Sequence, residues 1–180
     1  MTSLAGKLLI ASPRLQDPNF VRTVILIVTH DENGALGLVL NRPMELKVKD
    51  AIIDPLQDPV ETDATLNEGG PCPGPLMAIH TEAAHAQIEV QPGLCFATEK
   101  EDIEPFLQDA DARARFFVGY AGWGTGQLEG EIEIGSWLTT PATVDAAFQS
   151  DPRQWNKWVT IITGELGVQP DALPDDPSLN

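Results

Sequence analysis

The N-terminal hydrophobic residues fall into short runs that predict β-strands. Residues 7–11 form one apolar run, and residues 22–29 (RTVILIVT) form a continuous β-branched run. A run without polar alternation is typical of a strand covered on both faces, so residues 22–29 should lie in the middle of a sheet. Asn33 and Gly34 make a strong hairpin signal, and residues 35–40 should return as the partner strand.

Beyond residue 43 the hydrophobic pattern changes. Its apolar positions permit a short helix over residues 44–54, which Pro55 would stop. The polar residues 57–65 then indicate a surface connection. Three more short strands should complete the sheet, at residues 76–80, 87–90 and 94–97.

A helix is expected after the last of these strands. Thr98 and Glu101 fit a capping box, which predicts a helix over residues 98–109. Pro105 lies inside this helix and would delay its regular hydrogen bonding. The side chains expected to face inward are Ile103, Phe106 and Leu107.

The C-terminal part predicts two further helical segments. A helical turn is expected over residues 144–149. Asp151 should cap a longer helix that has Pro152 at its first position and ends at Gly164. The apolar stripe of this helix consists of Trp155, Trp158, Val159 and Ile162.

The run from residue 116 to 138, FFVGYAGWGTGQLEGEIEIGSWL, departs most from an ordinary globular pattern, and we call it the glycine corner. A buried strand over residues 115–120 should be broken here by four glycines within eight residues. A short amphipathic helix should start at Gly126 and close at Gly135, before a strand over residues 136–140. The four glycines are Gly119, Gly122, Gly124 and Gly126.

The glycine corner has a structural and a phosphate-binding interpretation. A helix N-terminus after a strand offers free N–H groups to an anion. However, the glycine spacing does not match G-x-G-x-x-G, no Gly-Lys-Ser/Thr follows, and Glu129 in the first helical turn would repel an anion. We therefore favour a structural role. If φ is positive at Gly124, Gly124→Ala should cost more than about 1 kcal/mol.

Three segments of the chain resemble the AlgH/YqgE family. They are GKLLIASPRLQDPNFVRTVILIVTHDENGALGLVLNRP, then EGGP followed by LMAIH, and GYAGWGTGQLE in the glycine corner. The resemblance implies one α+β domain, with a mostly antiparallel or mixed bifurcated β-sheet curled into a pseudo-barrel and flanking helices. It also implies a cytosolic protein of bacterial type and the label of transcriptional regulator, which derives from a genetic association with alginate production. No family-wide catalytic residues come with it.

The length and composition agree with a single domain. The 180 residues can bury a core without stabilisation by disulfides or metals, and 42% of them are hydrophobic. We expect the AlgH/YqgE-like domain over residues 1–167 and a flexible acidic tail over residues 168–180. No apolar run approaches the roughly 20 residues of a membrane span, and the N-terminus is too short for a signal sequence, so we expect a cytoplasmic protein. Cys72 and Cys95 should be free thiols.

Net charge is the strongest constraint on partners. The chain carries 27 acidic residues against 11 lysines and arginines, a formal charge of −16. Nucleic-acid binding draws most of its affinity from the neutralisation of phosphates, and no basic cluster is present to do this. We expect no direct nucleic-acid binding and no membrane binding. The oligomeric state stays open.

The N-terminal arginines form the first group of candidate site residues. Arg14, Arg22 and Arg42 lie near candidate polar residues that include Asp17, His30 and Asn41. Guanidinium groups bind carboxylates or phosphates bidentately, so these arginines could line an anion-binding pocket. The alternative, which we favour, is that Arg22 and Arg42 pair with internal carboxylates. The carboxylates considered are Asp17, Asp31 and Glu129.

No catalytic constellation is evident in the sequence. There is no G-x-S-x-G elbow and no H-E-x-x-H motif, so Ser12 and the three histidines lack a supporting pattern. His80 and His85 are best explained as core or surface residues. We expect no metal and no cofactor. If the protein is an enzyme of unknown reaction, the residues to mutate first are Arg22, His30, Asn41 and Glu129.

Trp123 is the aromatic residue most suggestive of binding. It stands between Gly122 and Gly124 and would anchor a partner if exposed. The leading hypothesis is a non-enzymatic binding or regulatory module that recognises a protein or a small ligand. Its binding surface would combine the SPRLQDPNF loop, the His30 turn and Trp123. A direct DNA-binding regulator is a further alternative, which the charge opposes.

Overall fold

The computed structural model describes residues 2–52 and 60–165, which form ten strands and five α-helices. The strands are β1 Lys7–Ala11, β2 Val24–Asp31, β3 Gly34–Val39, β4 Pro43–Lys47, β5 Thr65–Glu68, β6 Cys72–His80, β7 Ile88–Gln91, β8 Leu94–Ala97, β9 Ala114–Gly124 and β10 Trp137–Pro141. The helices are α1 Val48–Ala51, α2 Lys100–Gln108, α3 Gln127–Glu133, α4 Val144–Phe148 and α5 Gln154–Glu165, and Ala83–His85 form a short 3₁₀ turn.

All ten strands belong to one sheet, and eight of them follow the order β10-β1-β2-β3-β9-β6-β8-β7. The other two branch from β9, with β5 paired to β9 and β4 paired to β5. β9 is the strand at which the sheet divides. Its first half pairs with β6 on one edge and with β5, in parallel, on the other, whereas its last residues pair with β3. Every other pairing is antiparallel. The result is the predicted α+β fold, a single domain with a bifurcated, curled sheet in a half-barrel.

The core confirms that β2 is a central strand. Residues from Val24 to Val28 are at most 1% exposed, because β1 and β3 flank the strand on both edges and side chains cover both faces. The larger hydrophobic cluster surrounds β1, β2 and β3 and receives Trp155, Val159 and Ile162 of α5. A smaller cluster lies under α2 and contains the three side chains predicted to face inward.

The predicted helix over residues 44–54 is wrong in its first half. Residues from Pro43 to Lys47 form β4 and pair with β5, and only α1 is helical. Pro43 stands at the first position of a strand that pairs on one side, where its missing N–H costs no ladder bond. Residues 53–59 lie outside the described residues. They include the end of this helix, Pro55 and part of the predicted connection at 57–65.

The capping box at Thr98 is also wrong. The N-cap residue of α2 is Glu99, and its side chain makes no capping bond. The backbone N–H groups of Thr98 and Glu99 donate instead to the side-chain oxygen of Gln87. These two donors, which precede the first helical residue, are therefore satisfied by Gln87, just before β7. Pro105 lies inside α2, as expected.

The prediction that the glycines break the strand is wrong. The strand continues through Gly119, Gly122 and Gly124. Gly119 has a φ of +70°, and a Cβ there would lie 2.5 Å from the carbonyl oxygen of Gly70, so close backbone approach requires glycine. The chain turns only at Gly126, which also has a φ of +70° and precedes α3. The predicted helix and its closure at Gly135, where φ is +80°, are confirmed.

The C-terminal helices agree with the pattern. α4 covers most of the predicted turn, and its Thr143 side chain accepts a hydrogen bond from the Ala146 N–H. The Asp151 carboxylate accepts the Arg153 N–H at 2.9 Å, but α5 begins at Gln154, so Pro152 precedes the helix instead of occupying its predicted first position. α5 extends to Glu165, one residue past the predicted end at Gly164. The tail predicted for residues 168–180 lies outside the described residues.

Candidate functional site

The predicted site residues divide between the two ends of β2. Arg22 and Asn41 lie beside its start, and His30 lies near its end. His30 follows Val24 by six residues, which is about 20 Å at roughly 3.3 Å per residue. The structure therefore does not bring all four residues of the enzyme hypothesis into one pocket.

At the start of β2, Asn41 holds an unusual turn. Its buried amide donates to the Arg22 carbonyl at 2.8 Å and accepts the Val24 N–H at 2.8 Å. Arg22 has a φ of +57°, a conformation that is uncommon for a residue with a side chain. The Arg22 guanidinium lies 5.3 Å from the ring centre of Trp155, whose indole N–H donates to the Ala11 carbonyl. Asn41 thus stabilises the loop entering β2.

The remaining candidates in this region make separate contacts. Arg42 donates to the Pro18 carbonyl at 3.5 Å, and Arg14 is exposed. The Asp17 carboxylate accepts the Asn19 N–H at 2.8 Å, which fixes a local turn. Among the described contacts, Arg42 meets no carboxylate, and Glu129 contacts a histidine instead. The anion-binding pocket and the pairing of Arg22 with a carboxylate stay predictions.

At the end of β2, the buried His30 contacts the partly exposed Glu129. The His30 side chain is 1% exposed, and its Nε2 lies 3.0 Å from Glu129 Oε1. The backbone N–H of Leu4 donates to His30 Nδ1 at 3.0 Å, so Nδ1 is the acceptor and Nε2 carries the proton donated to Glu129. Ser3 donates from its hydroxyl to the His30 carbonyl. Both ring nitrogens are occupied, and the contact joins residues 3–4, β2 and α3.

The prediction that Trp123 is exposed is wrong. Trp123 is 5% exposed, and its indole N–H donates to Glu131 at 2.9 Å. The same carboxylate oxygen accepts the indole N–H of Trp137 at 2.8 Å, and Phe20 stacks on Trp123 with ring centres 6.1 Å apart. Side chains alternate along a strand, so the exposure of Gly122 and Gly124 puts Trp123 on the inner face. The SPRLQDPNF loop and the glycine corner do meet, but through the buried Phe20–Trp123 contact.

Two open cavities adjoin at the tip of the β2–β3 hairpin, and sequence reasoning did not identify them. The first, the tip cavity, is about 370 Å³ and is lined by Ser3, His30, Asp31, Glu32 and Asn33. The second, the glycine trough, is about 450 Å³ and also touches Asp31 and Asn33. The glycine trough is also lined by Thr29, Gly34, Leu36, Tyr120 and Gly122.

The glycine trough lies on the outer face of four strands. Residues paired directly across antiparallel strands share a face, and Leu36 is paired with both Thr29 and Gly122. Gly34 is paired with Asp31 on one side and Gly124 on the other. Gly122 lines the trough, with the Tyr120 ring 3.2 Å from where its Cβ would stand. Gly124, the partner of Gly34, continues the same face just beyond the trough, and both glycines are exposed.

Two buried polar residues at the other end of β9 were also missed. Arg115 is 7% exposed and donates to the carbonyls of Ala147, Gln149 and Leu40 and to the side chain of Asn67, at 2.7–2.8 Å. Burial lowers the pKa of Arg115 to about 10, so the group remains charged at neutral pH. These partners include carbonyls at the end of α4, where a helix favours positive charge. Arg115 therefore joins β3, β5, β9 and α4.

His80 is a core histidine, one of the two roles considered for it. It is fully buried, its ring stacks on Phe106 at 4.4 Å, and Nδ1 accepts the Glu82 N–H at 3.3 Å. Nε2 has no hydrogen-bond partner. Burial lowers the pKa of His80, and the nearby His85 lowers it further. His85 is partly exposed and contacts the edge of Phe106.

The described residues can also be considered for metal binding, membrane insertion and disulfide formation. Across residues 2–52 and 60–165, acidic, histidine and cysteine side chains nowhere gather in the threes that a metal site would need. Within the same ranges, no helix combines the length and the apolar character required to cross a bilayer. Cys72 and Cys95 are both unbridged, as predicted.

Comparison with known proteins gives a consistent result over nearly the whole chain. The AlgH-like family profile matches residues 8–167. A UPF0301 protein of Chlorobaculum tepidum is 39% identical over 97% of this chain and 95% of its own, and one of Streptomyces avermitilis is 35% identical over 100% and 97%. The solution structure of the AlgH protein from Pseudomonas aeruginosa is 30% identical, with a TM-score of 0.73 over 97% of this chain and 95% of that one. A crystal structure of a Corynebacterium diphtheriae protein is 25% identical, with a TM-score of 0.67 over 97% and 91%.

Proposed function

Because the chain belongs to the AlgH-like family and carries two adjoining open cavities at one hairpin tip, we propose that it is a non-enzymatic binding or regulatory module of the cytoplasm. Its binding surface consists of the tip cavity and the glycine trough, and its partner is a protein. The family's label of transcriptional regulator then describes an effect exerted through protein contact, since the charge of −16 opposes direct contact with DNA.

The observation that carries this proposal is the combination of an open surface with a rigid support. The cavities share Asp31 and Asn33, and His30, which lines the tip cavity, is held by its contact with Glu129. His30 fixes the N-terminal residues and α3 against the end of β2. A surface held in this way loses little conformational entropy on binding, which favours affinity.

The same geometry argues against the enzyme hypothesis built on His30. A general base needs a nitrogen or oxygen free to accept a proton from a substrate. Both nitrogens of His30 are hydrogen-bonded within the fold, and both ends of the Asn41 amide are also used. These residues support the binding surface or the fold in this proposal and do not react.

The test is site-specific photocrosslinking in living cells. A photoreactive residue replaces Asn33, which lies in both cavities, and the matched control carries it at Thr160, which is exposed on α5. We expect a discrete crosslinked partner from position 33 that is absent from position 160. Identical products from both positions, or none from position 33, would contradict the proposal. Duplex DNA affinity that falls steeply with salt would instead support the direct DNA-binding alternative.

A further inference from the structure

Gly124 is a glycine that the fold does not require. Its φ is not positive, and a Cβ added there would meet nothing closer than Gln127 Oε1 at 3.9 Å. In contrast, its register partner Gly34 has a φ of +136°, and a Cβ there would lie 2.1 Å from the Trp123 carbonyl oxygen. Glycine inside a strand costs about 0.5–1 kcal/mol relative to alanine. Gly124 therefore needs an explanation other than backbone geometry.

Bare backbone in a strand often marks the place where another chain approaches closely. Gly122 and Gly124 are exposed on the outer face of β9. Among the described strands, both have a pairing neighbour on one edge only, because β6 reaches no further along β9 than Tyr120. The Gly124 N–H is already bound by the Gln127 side chain at 3.0 Å, so an extended segment would approach the outer face of β9 instead of pairing along its edge.

The charges around the trough define the chemistry of that segment. Asp31 and Glu32 are exposed at the rim, and the side chain of Glu129, the partner of His30, is 36% exposed. No lysine or arginine is among the described residues that line the trough or the tip cavity. The whole chain has a charge of −16, so long-range attraction also favours a positive partner.

We propose that the glycine trough receives an extended segment of a partner protein that carries lysine or arginine side chains. The segment's backbone passes over Gly124, its basic side chains reach Asp31 and Glu32, and an apolar side chain rests between Leu36 and Tyr120. This inference rests on the proposed function and adds the chemistry of the partner. It also gives Gly124 a role, because any side chain at that position would occupy the space of the incoming backbone.

The test is an amide NMR titration of the whole protein with two synthetic peptides. One alternates lysine and leucine, and the other replaces each lysine by glutamate. We expect the basic peptide to shift the amide signals of Gly34, Gly122 and Gly124, and the acidic peptide to shift none of them. Equal binding of both peptides, binding of neither, or shifts spread evenly over the acidic surface would overturn the inference.

Two pairs of variants make the titration specific. Gly124→Val should place a side chain suited to strands on the outer face at the end of the trough, and Glu32→Lys should reverse a rim charge. Each should lower the affinity for the basic peptide by about tenfold or more. The matched controls are Gly164→Val, at another glycine with open space, and Asp111→Lys, an equal charge change near the opposite end of β9. If the controls weaken binding as much as Gly124→Val and Glu32→Lys, the trough is not the site.

The inference and the proposed function can fail separately. If crosslinking from position 33 captures a partner through a segment without lysine or arginine, the basic-segment inference is wrong and the binding module stands. If position 33 yields no specific partner, both are wrong. Circular dichroism and urea unfolding of each variant confirm that lost affinity does not result from lost structure.

Discussion

The two halves of β9 show how one strand can serve two purposes. In its first half, Arg115, Phe116 and Phe117 are all buried, between β5 and β6. In its second half, the inner face carries the buried Trp123, whereas Gly122 and Gly124 place no side chain on the outer face, where the Tyr120 ring lies against Gly122. The first half of β9 buries side chains on both faces, whereas the second half buries them on the inner face only.

The difference teaches where to look for function in a chain without a catalytic motif. The buried polar groups of the first half are satisfied by the fold itself, as the four hydrogen bonds of Arg115 show. In the second half, Gly124 makes the strand less stable than alanine would, although neither its φ nor the surrounding space requires glycine. Substitutions in the two halves should therefore affect different properties of the protein.

The largest effect is expected at Arg115. Arg115→Met leaves three buried carbonyls and the Asn67 amide without their donor, so the free energy of unfolding should fall by about 3–5 kcal/mol. The control is Arg113→Met, two residues earlier, where an exposed guanidinium pairs with an exposed Asp145 and the loss should stay below about 1 kcal/mol. Urea unfolding measures both. Equal losses would mean that the Arg115 contacts do not stabilise this half of β9.

A smaller but still large effect is expected at Gly34. An alanine there would combine a φ of +136° with a Cβ 2.1 Å from the Trp123 carbonyl oxygen. Gly34→Ala should lower the free energy of unfolding by more than about 2 kcal/mol, because the β3–β9 pairing must shift to admit the methyl group. Unchanged urea unfolding would show that the hairpin relaxes easily and that the trough is not rigid.

His80 should make stability depend on pH at the packed end of β9, where it pairs with Ala114. Its pKa is lowered in the folded protein, chiefly by burial, so the unfolded chain takes up a proton first as the pH falls below 6.5. The free energy of unfolding should therefore decrease on acidification, from about pH 7 towards pH 5. His80→Gln should flatten this dependence, whereas His85→Gln should keep most of it. An unchanged slope in His80→Gln would contradict this assignment.

Local sequence patterns predicted most strands because the burial of a strand and the position of a turn both depend on a few consecutive residues. The β-branched run before His30 predicted a central strand, and Asn33-Gly34 predicted its hairpin. The helix expected from residue 44 failed because pairing with β5 overrides the periodicity of a few apolar positions. The Thr98 capping box failed for a similar reason, since Gln87, which lies just before β7, supplies the acceptor.

The candidate site was harder to predict because it depends on contacts between distant residues. His30 and Glu129 are 99 positions apart, and nothing in either segment specifies their contact. Trp123 was expected to be exposed because its flanking glycines were read as a corner. Applying the alternation of a continuing strand would have placed it inward and the glycines outward. That reading would also have indicated a bare outer face.

The most direct measurement is the free energy of unfolding of Gly124→Ala, compared with the unsubstituted protein. If the outer face of β9 is bare because a partner needs the space, alanine should leave stability unchanged or raise it by up to about 1 kcal/mol. A loss greater than about 1 kcal/mol would show that the fold itself requires Gly124, which would contradict the account.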